Sequence, residues 1–445
     1  MERLAISPTI TAEIPPQLFR VLVFPSANEP GLEIIRSLAR SNKVELFGGS
    51  SYEVEYDPSR PLLRNHLRCP ALGEPGFRDE LERLLRENEI NVLFPTVDAV
   101  VAEVASWKLS DVAVIAPSPE TARVLLSKRA TYRALKGAAS VPSVFDDGEV
   151  PLPAFGKPDE GSGSTGAIVL RTEADLVRAR DQSLLVHQNL PGAEYTVDCL
   201  GNPDGKLLVA NVRLRARVSR GMSLATEMVE RPQIRDQVTA IAETMPIAGP
   251  WFAQFKEDAE GSPILLEVNG RVAGSMTLTR LAGINIPLAA LFLFNGVPIR
   301  IPPLIGSIRI NRSLRTVGEL SDFDWILWDL EDTLVRPDGK PDPEVVGRLH
   351  DFDNQGMTQL LVTKHADPHS LLERAGIPVL FAEVRSVEDK PAELAAVLAD
   401  HGIDARRCVL INDSITENLQ IAHRHPELRT IRPDCLDVLA REAIE

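Results

Sequence analysis

Short apolar runs alternate with amphipathic segments along the first part of the chain. The runs with the length of buried strands lie at residues 21–25, 44–47, 91–94 and 112–115. Between them, residues 32–40 and 78–89 repeat apolar side chains at the spacing of one helix face. Alternating strands and helices are typical of a parallel sheet covered by helices, so residues 1–115 are predicted to form an α/β layer.

The rest of the chain changes pattern twice. Residues 116–301 are richer in glycine turns and antiparallel-looking strands, residues 302–320 are predicted to form a linker with an edge strand, and residues 321–445 return to strand–helix alternation. The strands predicted in this last region are 325–328, 358–363, 379–381 and 408–411. With 445 residues and roughly 150 residues per domain, we expect a multidomain protein of α/β and α+β class.

Composition and charge narrow the classes of partner. The chain has 48 basic and 63 acidic residues, and a net charge of −15 disfavours sequence-independent binding to nucleic acid or to an anionic membrane. The strongest apolar stretch, residues 286–294, is too short to span a bilayer, and no apolar region typical of a secretory signal lies near the N-terminus. The four cysteines are scattered without a CxxC pair, as is typical of a reduced, cytoplasmic protein. We therefore expect no nucleic acid and no membrane as partners.

A glycine-rich segment follows a lysine in the middle region. Lys157 precedes a run that contains Gly161, Ser162, Gly163 and Gly166. Glycine amides can approach an anion closely and the lysine adds positive charge, so a phosphate-binding loop is one interpretation. A flexible loop is the other interpretation, because the segment matches neither the Walker loop nor the dinucleotide-binding pattern.

A second polar group lies on a predicted hairpin. Glu267, Asn269 and Arg271 alternate along an apolar strand, so they are expected to share one face. Gln254 comes 267 − 254 = 13 residues earlier, a suitable distance for the opposite strand. Carboxylate and amide oxygens are ligands that Mg²⁺ prefers, and an arginine beside them would reach a phosphate. The alternative is the polar face of a solvated hairpin.

In this order, these segments resemble the ATP-grasp enzymes of the carbamoyl-phosphate-synthase-like and biotin-carboxylase-like kind, over residues 20–300. The residues that carry the resemblance are Lys128 in LSKRATYRAL, Lys157 with its glycine loop, Gln188 and Glu194 in HQNLPGAEYTVD, and Gln254, Glu267, Asn269 and Arg271. The resemblance implies a two-lobed ATP-grasp domain over residues 116–301, preceded by a pre-ATP-grasp α/β domain over residues 1–115. It also implies ATP and Mg²⁺ or Mn²⁺ as cofactors.

The resemblance further implies a role for each residue. Those implied to bind the nucleotide are Lys128, Lys157, Gly161, Ser162 and Gly163 at the phosphates, Gln188 and Leu190 at the adenine through their backbone, and Glu194 at the ribose. Those implied to bind the metal are Gln254, Glu267 and Asn269, while Arg271 would act in catalysis at the terminal phosphate. The family's hinge glutamate is replaced by Gln188 or Asn189, which changes the expected contact with the exocyclic amine of adenine.

Arginines also repeat along residues 212–220. Arg213, Arg215 and Arg217 are expected to share one face of a strand. Guanidinium groups bind carboxylates and phosphates through paired hydrogen bonds, so in an acidic chain Arg213 and Arg215 are candidates for substrate binding. A solvated edge strand is the alternative.

The last region carries polar residues after successive predicted strands, where open α/β sheets bind ligands. These residues are Asp329 and Glu331, Thr363, Lys390, and Asp413 with Glu417. They resemble the haloacid-dehalogenase phosphohydrolases over residues 321–445, with a Rossmann-like sheet and no room for a large cap. The resemblance implies Asp329 as nucleophile and metal ligand, Thr363 and Lys390 at the substrate phosphate, and Asp413 with Glu417 supporting Mg²⁺.

Glu331 stands where that family normally has the aspartate that transfers the proton. One extra methylene displaces the carboxylate by about 1 Å, which is harmful where hydrogen-bond reach is required. An active phosphatase and a degenerate structural module are therefore both open.

We predict an ATP- and Mg²⁺-dependent carboxylate ligase that acts through an acylphosphate, most readily in carboxylate–amine ligation, fused to a phosphatase-like domain. Its partners would be a small-molecule carboxylate and a nucleophile, and a homo-oligomer is compatible with the sequence. The alternative is a nucleotide-binding, regulatory scaffold whose two catalytic folds have lost turnover.

Overall fold

The computed structural model describes residues 18–146, 148–161, 163, 165–313, 320 and 322–439. The chain forms two compact units, Met1–Ser313 and Leu314–Glu445, and each is described by itself. Ser162 of the predicted phosphate loop, the residues before 18 that bear on a secretory signal, and residues 314–319 of the predicted linker lie outside the described part.

The first unit begins with a parallel sheet. Its strands are β1 (Phe19–Phe24), β2 (Val44–Ser50), β3 (Asn65–Arg68), β4 (Val92–Pro95) and β5 (Ala113–Val114), with helices α1 (Glu29–Leu38), α2 (Phe77–Glu87) and α3 (Asp98–Val104). The order is β3-β2-β1-β4-β5, and all neighbours are parallel. Val21 and Val23 pack on one face of β1, and Leu22 and Phe24 pack on the other. The predicted α/β layer is confirmed, with both faces of its central strand buried.

A small antiparallel sheet follows two helices. These elements are α4 (Pro119–Leu126), α5 (Lys128–Ala134), β6 (Ala154–Lys157), β7 (Ile168–Leu170), α6 (Glu173–Asp181) and β8 (Leu185–Gln188). Strand β6 lies between β7 and β8. Ala154 and Val186 face a small apolar cluster on one side of this sheet. Because side chains alternate along a strand, Phe155, Lys157 and His187 face the other side.

A second, larger antiparallel sheet completes the first unit. Its strands are β9 (Glu194–Gly201), β10 (Leu207–Ser219), β11 (Met222–Met228), β12 (Gly249–Glu257), β13 (Pro263–Asn269) and β14 (Arg309–Asn311), with helices α7 (Pro232–Thr244), α8 (Thr277–Leu281) and α9 (Ile286–Phe294). The order is β13-β12-β9-β10-β11-β14, so β14 is an edge strand within the segment predicted as a linker. Gln254 pairs with Glu267, which confirms the predicted hairpin.

Two irregularities in this sheet matter for the side chains that it presents. Gln254 pairs with Glu267 but Phe255 pairs with Leu265, so Leu266 is an extra residue in β13. Arg215 pairs with Thr226 but Arg217 pairs with Ala225, so β10 gains an extra residue between the two arginines. A β-bulge of this kind interrupts the ladder and reverses the alternation of side chains beyond it.

The second unit is a parallel sheet with helices. Its elements are β15 (Trp325–Trp328), α10 (Pro343–Asn354), β16 (Thr358–Thr363), α11 (Pro368–Ala375), β17 (Glu383–Ser386), α12 (Lys390–Asp400), β18 (Cys408–Ile411), α13 (Ile415–Arg424) and β19 (Arg429–Ile431). The order is β17-β16-β15-β18-β19, with parallel neighbours throughout. The three strands predicted at 325–328, 358–363 and 408–411 are confirmed.

The strand predicted at residues 379–381 is wrong, because the strand between β16 and β18 along the chain is β17, Glu383–Ser386. The apolar run 377–381 instead passes over the core as a loop, in which Ile377 is buried while Val379 is exposed. Apolar content alone does not separate a buried strand from a buried loop. Strands β3 and β19 were missed because their sequences, NHLR and RTI, are polar and short.

The described residues include no helix with the length and apolar character needed to cross a membrane. All four cysteines carry free thiols, and three of them are buried. Short 3-10 turns occur at Val54–Tyr56, Arg60–Leu62, Ala405–Arg407 and Pro433–Val438.

The packing of β9 predicts a strong effect of one added methyl group. A Cβ on Gly201 would lie 1.9 Å from the carbonyl oxygen of Ile247, so Gly201→Ala must displace backbone. We expect the melting temperature of the first unit to fall by about 5 °C or more in calorimetry. Gly347→Ala is the matched control, because no atom lies within 4 Å of its added Cβ in α10 and alanine favours a helix. A parent-like melting temperature for Gly201→Ala would contradict the packing.

Candidate functional site

A cavity of about 410 Å³ lies between the small and large sheets of the first unit. The predicted site residues that line it are Lys128, Lys157, Gly161, Gly163, Leu190, Glu194, Arg213, Arg215, Gln254, Glu267 and Arg271. Asn269 lines a small adjoining pocket together with Lys128 and Glu267. Side chains from segments that are far apart in sequence therefore converge on one volume, which is the arrangement expected of a ligand site.

Two lysines lie on one side of the cavity. Lys157 ends β6, and its Nζ donates to the hydroxyl of Tyr132 at 2.8 Å and to the carbonyl oxygen of Leu266 at 3.0 Å. Lys128 begins α5, and its Nζ donates to the carbonyl oxygens of Asp159 at 3.1 Å and Gly161 at 2.9 Å. Both side chains are buried. Among the described residues, the Nζ atoms of both lysines hydrogen-bond to uncharged oxygens, and neither forms an ion pair with a carboxylate.

The bulge at Leu266 explains how Lys157 is held. As the extra residue of β13, Leu266 has no partner in the ladder with β12, and its carbonyl oxygen accepts from Tyr132 at 2.6 Å as well as from Lys157. Tyr132 belongs to α5 and Lys157 to β6. One carbonyl group of the large sheet therefore fixes the position of two side chains from the elements that precede it.

Burial lowers the pKa of Lys157 to about 8, although the negative charge of Glu267 partly offsets this effect. Lys157 is therefore mostly protonated at neutral pH but loses its proton just above it. An anion in the cavity would favour the charged form and raise this pKa. Burial also raises the pKa of Tyr132 well above its usual value, so its hydroxyl keeps its proton and remains a donor.

Oxygen atoms face the lysines from the hairpin. Glu267 and Gln254 are directly opposite each other on β13 and β12, and both line the cavity. Asn269 donates through Nδ2 to Asp98 at 3.2 Å, whereas its buried Oδ1 has no partner among the described residues. An unpartnered amide oxygen next to a carboxylate fits Mg²⁺, because this ion takes one or two protein ligands and completes its shell with phosphates and water. The described part of the chain holds no group of three or more histidine, cysteine, aspartate or glutamate side chains placed to bind a metal.

The arginines are held by acidic partners. The Nε and Nη2 atoms of Arg213 donate to Asp198 at 3.0 to 3.1 Å, and both residues are buried. Arg215 donates to Glu194 at 2.5 Å and to Gln254 at 2.7 Å. The predicted alternative of a solvated edge strand is wrong, because β10 lies between β9 and β11. The expectation that Arg217 shares their face is also wrong, because the bulge precedes it and leaves its side chain exposed.

Two nitrogens in this group, Nη1 of Arg213 and Nε of Arg215, have no hydrogen-bond partner among the described residues. Nη1 of Arg213 is buried and has no partner among the described residues, and Arg213 lines the cavity. Arg271 is less available, because Asp98 accepts from its Nε at 3.0 Å and from its Nη2 at 2.9 Å. Burial lowers the pKa of Arg215, but a guanidinium keeps its charge at neutral pH.

In the segment predicted as a hinge, the side chains that line the cavity are those of His187 and Leu190, not that of Gln188. The side chain of Gln188 accepts from the amide of Ser143 at 2.8 Å and does not line the cavity. Leu190 and the preceding His187 do line it. Strand alternation was the signal that would have found His187, because it lies opposite Phe155 on the face that also carries Lys157.

In the second unit, polar side chains meet at one edge of the sheet. Asp329 follows β15, Thr363 ends β16 and Asp413 follows β18, so all three lie at the carboxyl ends of adjacent parallel strands. The Nζ of buried Lys390 lies 2.6 Å from Asp329 and 3.3 Å from Glu417. Thr333 accepts from the amide of Asp413 at 3.2 Å. The sheet thus brings together residues that the sequence separates by up to 413 − 329 = 84 positions.

The carboxyl groups at this edge differ in the direction of their pKa shifts. Burial raises the pKa of Asp329, and the adjacent Lys390 opposes this effect. Burial also raises the pKa of Asp413, with Asp332 adding to the shift. Burial would raise the pKa of Glu417 as well, but its ion pairs with Lys364 and Lys390 outweigh burial and lower it. Glu331 is exposed next to Asp332, whose φ of 57° is in the left-handed region.

The comparisons with known proteins concern the fold. Residues 180–314 match the family model described as ATP-grasp in the biosynthetic pathway with Ter operon. A search of the curated proteins gave no match.

Solved structures with a similar fold come from several enzymes. The biotin carboxylase domain of Hydrogenobacter thermophilus 2-oxoglutarate carboxylase, in complex with MgADP, is 16% identical, with a TM-score of 0.54 over 66% of this chain and 74% of that one. The ADP complex of Staphylococcus aureus N5-carboxyaminoimidazole synthetase is 13% identical, with a TM-score of 0.55 over 67% and 82%. The L-amino acid ligase of Bacillus licheniformis is 16% identical, with a TM-score of 0.51 over 62% and 74%. The chain therefore contains an ATP-grasp fold.

The buried charge of Lys157 predicts a gain of stability when it is removed. Its pKa is lowered from 10.5 to about 8, which corresponds to a cost of about 3 kcal/mol for keeping the cation in the folded state. This cost is fully present below pH 8 and disappears as the pH rises from 8 towards 10.5, because the folded state loses the proton first. We therefore expect Lys157→Met to raise the melting temperature at pH 7, and to raise it less at pH 10. A lower melting temperature at pH 7 would contradict the assigned cost.

Proposed function

We propose that the first unit is an ATP- and Mg²⁺-dependent ligase that joins a carboxylate to an amine through an acylphosphate. The observation that carries the proposal is the pair of buried lysines, Lys128 and Lys157, which have no carboxylate partner among the described residues and line one cavity of an ATP-grasp fold. A buried cation without a counterion is costly, so this arrangement favours a strongly anionic ligand such as a triphosphate.

The opposite side of the cavity supports the same ligand. Glu267 and the unpartnered Oδ1 of Asn269 would hold Mg²⁺ against the phosphates, with Gln254 beside them. The ion, when bound, would neutralise charge that develops on the transferred phosphoryl group. Lys128 and Lys157 would hold the phosphate oxygens from the other side, and Glu194 would contact the ribose. Little covalent work falls to the protein, because positioning and charge stabilisation account for most of the catalysis of phosphoryl transfer.

The reaction needs a second, acidic substrate. An oxygen of its carboxylate attacks the terminal phosphorus, ADP leaves, and an amine then displaces phosphate from the acylphosphate. Nη1 of Arg213, which has no partner among the described residues, would bind this carboxylate, with Arg215 and Arg271 adding positive charge. The relatives support this class of reaction, since their names include a carboxylase, a carboxyaminoimidazole synthetase and an amino acid ligase.

We further propose that the second unit is a phosphohydrolase of the haloacid-dehalogenase type. Its parallel sheet carries Asp329, Thr363 and Asp413 at one edge, and Lys390 at the start of α12 contacts Asp329, in the order along the chain that the resemblance implies. Asp329 would attack the phosphorus, Thr363 and Lys390 would bind the phosphate, and Asp413 would bind Mg²⁺ with Asp329. The exposed Glu331 would transfer the proton less efficiently than an aspartate.

The ligase proposal predicts the products of the reaction. With ATP, Mg²⁺, hydroxylamine and a panel of amino and hydroxy acids, we expect ADP, phosphate and a hydroxamate to form with at least one acid. Glu267→Gln should lower the rate by about 100-fold or more, because it weakens the metal site. Glu243→Gln is the control, since it removes an exposed carboxylate of the same unit. AMP in place of ADP would contradict the acylphosphate, and ATP binding without turnover of any acid would favour the scaffold.

The phosphohydrolase proposal predicts opposite effects of two substitutions. With a chromogenic phosphate monoester, Asp329→Asn should abolish turnover, whereas Glu331→Asp should raise it about tenfold or more, because the shorter side chain restores the family's proton donor. Asp338→Asn, which alters an exposed carboxylate in the same unit, is the control. Turnover by Asp329→Asn equal to that of the parent would mean that the activity does not belong to this site.

A further inference from the structure

Two rings from the small sheet form part of the cavity wall. Phe155 and His187 lie opposite each other on β6 and β8, with ring centroids 5.4 Å apart. Leu190 and Ala167 line the same cavity. These side chains suit a flat ring, whereas the lysines and the hairpin carboxylate suit phosphates and a metal.

The hydrogen bonding of His187 fixes which nitrogen carries its proton. Nδ1 lies 2.7 Å from the backbone carbonyl oxygen of Gln188, which can only accept. Nδ1 is therefore the protonated nitrogen, and Nε2 carries a lone pair. Burial lowers the pKa of His187 to about 3, with Lys157 adding to the shift, so the ring is neutral.

The Nε2 atom of His187 has no hydrogen-bond partner in the part of the chain that the structure describes. The side chain is 1% exposed, and the atom is buried. A buried acceptor without a donor costs free energy, so such an atom in a cavity wall indicates a ligand that supplies the donor. Of the two residues that the resemblance suggested for this contact, Gln188 and Asn189, the side chain of Gln188 faces the opposite side of the small sheet.

We propose that Nε2 of His187 accepts a hydrogen bond from the exocyclic amine of adenine and thereby selects ATP over 6-oxo purine nucleotides. This inference rests on the proposed nucleotide site and adds the residue that distinguishes the bases. In guanine and hypoxanthine, the 6-position is a carbonyl oxygen, which would place a second acceptor against the lone pair of Nε2. A site built to receive a donor rejects an analogue that lacks it, because the buried group is then left unpaired.

The test is a cycle of two proteins and two ligands. Binding of ATP and of purine riboside 5′-triphosphate, which lacks only the amine, is measured calorimetrically with the parent and with His187→Leu. We expect removal of the amine to weaken binding to the parent about tenfold, and to change binding to His187→Leu by less than about twofold. His187→Gln, whose amide oxygen can accept, should restore most of the parent's preference. ITP should bind the parent at least about tenfold more weakly than ATP.

The outcomes separate the inference from the proposed function. If the amine contributes equally in the parent and in His187→Leu, the inference is wrong while the nucleotide site stands. If the parent binds neither nucleotide, both the inference and the proposed function are wrong. Should His187→Leu fail to fold, ¹⁵N-labelled histidine in the parent gives the same answer. The Nε2 resonance should shift with ATP and not with the amine-free analogue, and an equal shift with both ligands would overturn the inference.

Discussion

The carbonyl oxygen of Leu266 connects the two sides of the cavity. A β-bulge removes this group from the ladder of the large sheet, and it then accepts hydrogen bonds from Tyr132 of α5 and Lys157 of β6. Glu267 follows Leu266 on β13. The position of Lys157 relative to Glu267 therefore depends on this contact. An irregularity of one residue therefore sets the spacing between the cationic and the anionic sides of the site.

The site maintains charges that reduce the stability of the empty protein. Among the described residues, the buried Nζ atoms of Lys128 and Lys157 hydrogen-bond only to carbonyl and hydroxyl oxygens, and Asn269 and His187 each leave a buried acceptor unpaired. By contrast, Arg213 is neutralised by Asp198, and Arg215 is paired with Glu194. Lys128, Lys157 and His187 line the cavity and Asn269 lines the adjoining pocket, which is where a protein gains function from interactions that it leaves unmade.

The sequence predicted the parts of the site that follow from local periodicity. The pairing of Gln254 with Glu267 followed from their spacing and the turn between them, and the strands that end near Asp329, Thr363 and Asp413 followed from apolar runs. The bulges after Arg215 and at Leu266 have no signal in the sequence, so the exposure of Arg217 could not be foreseen. His187 was not predicted because the resemblance points to the polar residues that follow it, although its pairing with Phe155 places it on the cavity face. The run at 377–381 was wrongly predicted as a strand because an apolar loop and a buried strand can have the same composition.

The central claim is that a triphosphate with its cation lies between the two lysines and the hairpin. The most direct measurement is a crystal structure of the protein with Mn²⁺ and a non-hydrolysable ATP analogue, in which anomalous scattering locates the metal. The account predicts an anomalous peak bonded to Glu267 and Asn269, with phosphate oxygens within hydrogen-bond distance of Lys128 and Lys157. A nucleotide bound elsewhere in the chain, or a metal peak remote from the hairpin, would contradict it.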